Sequence, residues 1–419
     1  MYKCLPFNIF RTILGLSILL YISSYAESDY SKLLKHVEYP EMVKPHSSWG
    51  SIGYSEKTDK VIIGVCDHES VIGLFEWDCK KEKMSLRSYV HKGANLQEWQ
   101  WQGKIHSQIV ENSNDGWMYF GTDGGENREE YYMDHPHGYN GGFFMKYNPS
   151  TYELINLGNA VRYESIKEMV INQKDNLLYA ISYPSSRFII KNLATGAITD
   201  KGMINKAYVA RTLFTDSYGN GYYTDMRGCL IKYEPDGDTI LWSDTPLFME
   251  PSKTESWKLR SGIRAFATDS KKGIFYFQTA WSRLFSIKPQ KKGIGEIKDL
   301  GYLLNPSETI HDTTIIKATS PNLALAPNGK LYYWLGGHGS FLFKDTSVLV
   351  ECDPETKEKN IVYKCPKAVM EEATGSQIID KKGKIYFAGR RAIKGESSGE
   401  SGSSRAHLII FTPPKKDSK

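Results

Sequence analysis

Apolar residues along this chain gather in short runs separated by polar turns, and one arrangement of the two keeps returning. A turn signal opens into an aliphatic or aromatic run at Asp115-Gly116-Trp117-Met118-Tyr119, Asp175-Asn176-Leu177-Leu178-Tyr179 and Gly219-Asn220-Gly221-Tyr222-Tyr223. The same pattern stands at Lys272-Gly273-Ile274-Phe275-Tyr276, Asn328-Gly329-Lys330-Leu331-Tyr332 and Lys382-Gly383-Lys384-Ile385-Tyr386, with a weaker copy at Asp59-Lys60-Val61-Ile62-Ile63. The next run echoes too, as Lys146-Tyr147-Asn148-Pro149, Lys232-Tyr233-Glu234-Pro235 and Glu351-Cys352-Asp353-Pro354. The last tyrosines of these units recur every 44 to 60 residues. Runs this short between Gly, Asn, Asp and Pro turns read as strands, and several strands within a period of that size predict a β-propeller. The expected fold is all-β: seven four-stranded antiparallel blades near residues 48–90, 104–158, 163–202, 207–245, 262–302, 319–365 and 373–413. The last unit shows three strands, at 376–379, 385–389 and 407–411, so a strand within residues 30–43 is expected to complete it and close the ring.

The N-terminal segment changes the picture of location. Lys3 and Arg11 precede an apolar stretch over residues 12–22, and Ser24-Tyr25-Ala26 supplies the small residues of a cleavage site. Residues 1–26 therefore read as a signal peptide, too short in its apolar part to span a bilayer, and residues 27–419 as one propeller domain. An exported protein, periplasmic or secreted, with no membrane anchor is expected. Of 53 basic and 48 acidic residues only Lys3 and Arg11 lie in that segment, so the rest is nearly neutral. Such a balance excludes a broad nucleic-acid surface. Export permits disulfides. Cys66/Cys79 and Cys352/Cys365 share one spacing, and the second pair is favoured because a polar turn over residues 354–360 folds one strand onto the next. Cys229 is left as a buried small hydrophobe.

In a propeller blade the start of the innermost strand and the end of the second strand open on the same face. Counting back from each reference tyrosine places His106, Lys167, Arg211, Arg264, Ser320 and Thr374 at the starts of inner strands. Counting forward places His68, Asp123, Tyr183, Arg227, Trp281 and His338 beyond the second strands, with Arg187 and Arg283 close behind. A funnel lined by His, Tyr, Arg and Trp suits an anionic ligand with planar carboxylates, which Arg grips bidentately. The competing reading is that these cations pair with acids of neighbouring blades and hold the ring together. Asp134-His135-Pro136-His137 on a long insertion, near Asp123, is a candidate site for a divalent ion, although its spacing matches no standard zinc pattern. Insertions are expected over 124–140, 247–261 and 305–320, and 395–404 reads as a flexible Gly/Ser excursion. No nucleophile elbow, phosphate loop or HExxH motif is present.

Lys104-Ile105-His106-Ser107-Gln108, then Asp115-Gly116 with Tyr119-Phe120-Gly121-Thr122, Gly141-Gly142-Phe143, and Tyr332-Tyr333 with Gly336-Gly337-His338-Gly339 together resemble the seven-bladed propeller polysaccharide lyases, such as ulvan lyases and lyases of rhamnose-glucuronate linkages. Related propeller rhamnosidases share the fold. The resemblance implies β-elimination at a uronic acid in an acidic polysaccharide, by a monomer that requires no cofactor. It implies His106 as base or charge neutraliser, Tyr183 or Tyr208 as proton donor and Arg211 as carboxylate clamp. Lys167, Arg187, Arg227, Arg264, Trp281 and His338 are the expected substrate-binding residues. The lyases carry a second His soon after the strand that follows His106, whereas here that strand ends in Asp123 and only His135 and His137 follow. Two alternatives stay open: a glycoside hydrolase of the rhamnosidase kind, whose catalytic His lies on the opposite face, and a glycan-binding propeller without catalysis.

Overall fold

The computed structural model describes residues 30–67, 71–124, 140–204, 212–225, 228–247, 262–279, 283–304, 320–335, 347–365, 371–372, 376–392 and 404–415. These form seven antiparallel sheets arranged as a seven-bladed β-propeller, with almost no helix. Blade 1 runs from its inner strand Ile52–Ser55 to its outer strand Lys83–Tyr89, and blade 3 from Ser165–Asn172 to Ile198–Met203. Blades 4, 5 and 6 begin at Phe214–Thr215, Ile263–Asp269 and Ala324–Leu325. The inner strands of blades 2 and 7 are each broken in two, at Lys104–Ile105 with Val110–Glu111 and at Glu371–Glu372 with Gln377–Ile379. The strand expected from residues 30–43 is Leu34–Glu38, paired along its length with Ser404–Phe411 of blade 7.

Packing follows from strand alternation. Successive side chains point to opposite faces, and each face of a blade lies against a neighbouring blade, so a strand must be apolar on both sides. Lys60–Cys66 and Leu331–Leu335 are buried almost throughout for that reason. The core accordingly divides into seven clusters, each drawn from two adjacent blades. The seam between blades 7 and 1 joins Tyr386, Leu408 and Ile410 to Ile63, Phe75 and Trp77.

The recurring aspartate and tyrosine are a structural pair. Tyr119 donates its phenol hydrogen to Asp115 Oδ2 at 2.7 Å, Tyr222 to Asp216 Oδ2 at 2.9 Å and Tyr386 to Asp380 Oδ2 at 2.9 Å. The other carboxylate oxygen of Asp380 accepts the turn amides of Lys382 and Lys384. One acid thus shapes the turn and satisfies a buried phenol. In blade 4 the partner is Tyr222, which faces blade 5, whereas Tyr223 faces blade 3. The sequence register for that blade, which took Tyr223 as reference, is therefore off by one residue.

The expected disulfides do not form: Cys66, Cys79, Cys229, Cys352 and Cys365 are free and buried. Cys66 pairs across with Ile72, while Cys79 follows Asp78, which pairs with Lys60 at the far end of the same hairpin. Cys352 pairs with Lys359, and Cys365 follows Lys364 at the other end of its hairpin. Each pair is separated by about 20 Å or more at roughly 3.3 Å per residue, whereas a disulfide needs Cα atoms within about 7 Å.

Two measurements probe the closure. A chain beginning at Tyr39 lacks the strand that covers Ser404–Phe411; it should melt at least about 5 °C lower and associate through the bared edge, and unchanged melting and mass would remove that strand from the closure. Beside it, His407 is fully buried with neither ring nitrogen hydrogen-bonded among the described residues, its ring 5.9 Å from that of His36. Burial, then the charges of His36 and Arg391, push its pKa from 6.5 down to about 3. The unfolded chain takes up this proton near pH 6.5 and the folded chain only near pH 3. Stability is therefore full above pH 6.5 and declines as the pH falls toward 3, by about 1 kcal/mol per pH unit. Denaturation midpoints at pH 7 and pH 4.5 should differ less in His407→Leu than in the parent.

Candidate functional site

The starts of the inner strands and the ends of the second strands do share a face: Lys104 lies opposite Asp123, Ser165 opposite Tyr183 and Ile263 opposite Thr279. Three of the expected residues sit where the inner strands depart from regular pairing. Lys167 is the bulged residue between Ile166 and Glu168, Arg264 the bulged residue between Ile263 and Ala265, and His106 opens the break in blade 2. Bulges re-aim side chains. A bulge does this in blades 3 and 5, and a break in the inner strand does it in blade 2.

The break at His106 is held by side chains that replace the lost sheet bonds. Gly121 N–H on the second strand donates to Ser107 Oγ at 2.7 Å. Gln108 N–H donates to Glu168 Oε1 of blade 3 at 2.9 Å, and Ile109 N–H to Ile52 O of blade 1 at 3.3 Å. The segment is clasped from both sides. Gly50 of blade 1 lies so close that a Cβ there would stand 1.9 Å from His106 O, so no other residue fits that position.

The His106 ring is buried and lies parallel to Trp49, with centroids 6.0 Å apart. Its Nδ1 is 3.2 Å from Lys167 O. A carbonyl only accepts, so Nδ1 carries the hydrogen and the lone pair of the neutral ring falls on Nε2. Lys167 Nζ stands 3.4 Å from Asp123 Oδ2 and 4.8 Å from the centre of the Tyr183 ring. Asp123 is fixed in turn by Ser165, whose hydroxyl donates to Oδ1 at 3.0 Å. The junction of blades 2 and 3 therefore collects a base-ready imidazole, an ammonium group, a phenol and a carboxylate.

Other expected residues fall elsewhere. Arg264 is buried on the inner strand of blade 5, its carbonyl accepting from Thr212 Oγ1 at 2.8 Å. Ser320 donates to Asn322 O at 2.7 Å and serves the backbone of blade 6. Arg187 opens the third strand of blade 3 and pairs outward with Asp200 at 2.5 Å. Arg283 does the same in blade 5 with Asp299 and covers the Tyr302 ring. These two cations pair with acids of their own blades, whereas Lys167, through Asp123 of blade 2, fits the reading in which cations tie neighbouring blades together. His68, His135, His137, Tyr208, Arg211, Arg227, Trp281, His338 and Thr374 lie outside the described residues, as do residues 1–26.

Glu168, Trp49 and Lys104 were not singled out by sequence. Burial pushes the Glu168 carboxyl up to about 8 despite the two amides it accepts, those of Gln108 and Met169. Burial thus favours its protonated form. Its one sequence signal was a glutamate inside an otherwise apolar run, Met169-Val170-Ile171. Lys104 Nζ lies over the Trp49 ring at 4.7 Å.

No family model matches the chain, and no curated protein matches it. Among solved structures it is similar to the WD40 repeats of RRP9, with a TM-score of 0.57, 9% identity and coverage of 91% of this chain and 98% of that one. It is similar to YCF48 from Cyanidioschyzon merolae, at a TM-score of 0.54, 8% identity and coverage of 90% and 98%. The β-propeller domain of Cps50 (Swd1) from Myceliophteria thermophila gives a TM-score of 0.54, 9% identity and coverage of 90% and 100%. Likeness at such low identity establishes the seven-bladed propeller fold and leaves the chemistry to the site itself.

Proposed function

We propose that the protein is an exported lyase that cleaves a uronate-containing polysaccharide by β-elimination at the junction of blades 2 and 3. The observation that carries this reading is the Nδ1 contact of His106 with Lys167 O, which leaves Nε2 as the basic atom. His106 Nε2 takes the C5 proton of a uronate. The electron pair left behind spreads into the carboxylate, where the Lys167 ammonium offsets the growing negative charge. The C4–O bond then breaks, the Tyr183 phenol gives its proton to the departing oxygen, and a C4–C5 double bond remains. Proton transfer of this kind is worth about 100-fold or more in rate.

A second reading, a glycan-binding propeller without catalysis, is favoured by the Asp123 carboxylate that already neutralises Lys167. The product separates the two readings, because an unsaturated uronate absorbs ultraviolet light. The purified protein incubated with a panel of uronate polysaccharides should generate that absorbance. His106→Ala and Tyr183→Phe should each lower the rate by roughly 100-fold with the propeller still folded, while Arg187→Ala should leave it near the parent rate. Binding without absorbance on every polymer would establish the second reading. Full activity in both variants would move the site elsewhere.

A further inference from the structure

The face opposite His106 carries a second concavity. Turns that join inner to second strands in blades 3, 4 and 5 enclose a cavity of about 490 Å³, within the usual range for small-molecule sites. Lys174 of blade 3 and Lys272 and Lys288 of blade 5 line it, together with Phe275 and the Tyr218 ring of blade 4, which is 41% exposed.

These lysines are weakly compensated. Lys174 Nζ is 3.6 Å from Asp236 and 3.9 Å from Asp175, and Lys272 meets Glu355; Asp236 and Glu355 are more than half exposed and Asp175 about a third. Such pairs are screened by water and contribute little. Lys288 forms no ion pair among the described residues. The acid that lines the cavity, Asp216, is consumed by its own turn: it accepts the amides of Tyr218 and Asn220, the Asn220 side chain and the Tyr222 phenol. Three lysines from two blades thus line a cavity whose one lining carboxylate keeps its charge but has both oxygens engaged within its own turn.

We propose that this cavity is a second, non-catalytic site for an anionic sugar unit, a pyranose ring bearing a carboxylate or a sulfate. The ammonium groups are point charges that accept either anion. The exposed Tyr218 ring offers an apolar face to a sugar, for which a bare inorganic ion has no use. No histidine lines the cavity, so proton transfer of the kind assigned to His106 is not part of its role. The inference stands on this geometry and does not depend on elimination at the other face.

Calorimetric titration of the full chain tests it, in a His106→Ala background that slows turnover. The probes are a galacturonate hexamer, a sulfated dextran oligomer, maltohexaose and inorganic sulfate. At least one charged oligomer should bind, with an affinity that falls at least 10-fold in Lys174→Ala/Lys272→Ala/Lys288→Ala, while maltohexaose and free sulfate bind at least 10-fold more weakly than that oligomer. The stronger of the two charged probes identifies the anion. Lys288→Ala alone removes an exposed side chain that the fold does not use, and should weaken binding about 3-fold even if the triple variant fails to fold. Unchanged affinity in the lysine variants, equal binding of maltohexaose, or no binding of either charged oligomer overturns the proposal. Lysine-dependent binding, together with no ultraviolet-absorbing product from the form with His106 intact, would leave this site standing and reject the lyase.

Discussion

The structure depends on burying both faces of every blade against its neighbours. A single four-stranded sheet has two apolar faces and cannot hide either by itself; a ring hides all of them only if it closes. Closure rests on Leu34–Glu38 lying beside Ser404–Phe411, which ties the two ends of the described chain together and covers an edge that would otherwise bind other strands. Each of the seven core clusters spans one blade junction, so no blade has a core of its own. Hydrophobic burial at these junctions is the main favourable term in folding.

That constraint sets the character of the axis. Inner strands converge, and there is little room for regular pairing along their whole length. Blades 2 and 7 break the inner strand, and blades 3 and 5 bulge it. Buried amides left unpaired by these breaks and by the short inner strand of blade 6 must still find acceptors. Ser107 supplies one for Gly121, Asn322 one for Trp334, Glu168 one for Gln108 and Gln377 one for Leu323. Glu168 and Gln377 act in the same way: each reaches from one blade to a backbone N–H of the blade before it. These polar side chains stabilise the irregular segments that carry the candidate chemistry.

The proposed site is a by-product of that irregularity. His106 is displaced from the sheet, stacked on Trp49 of blade 1 and anchored through Nδ1 to blade 3, so three blades fix one imidazole. Lys167, pushed out by its bulge, meets Asp123 from the neighbouring blade and Tyr183 from its own. Rigid support of this kind is what preorganised proton transfer requires.

The sequence by itself determined the number of blades, their approximate limits and the closing strand, because turn chemistry and strand burial are local and recur with the period of the fold. It also marked His106, Lys167 and Arg264 as inner-strand positions on one face, since register counted from a repeated tyrosine carries over from blade to blade. Where two tyrosines adjoin, as at Tyr222 and Tyr223, the count slips by one, because only packing tells which of them faces the next blade. Tertiary structure alone decided the pairings. Equal spacing between cysteines reads as a bridge until hairpin register puts Cys66 and Cys79 at opposite ends. A cation at a strand start reads the same whether it meets an acid of its own blade, as Arg187 meets Asp200, or one of the neighbouring blade, as Lys167 meets Asp123. Glu168 is a glutamate like any other in sequence; burial beside the break in the blade before it is what raises its pKa. The lower-face lysines come from turns far apart in the chain, and only the ring brings them around one cavity.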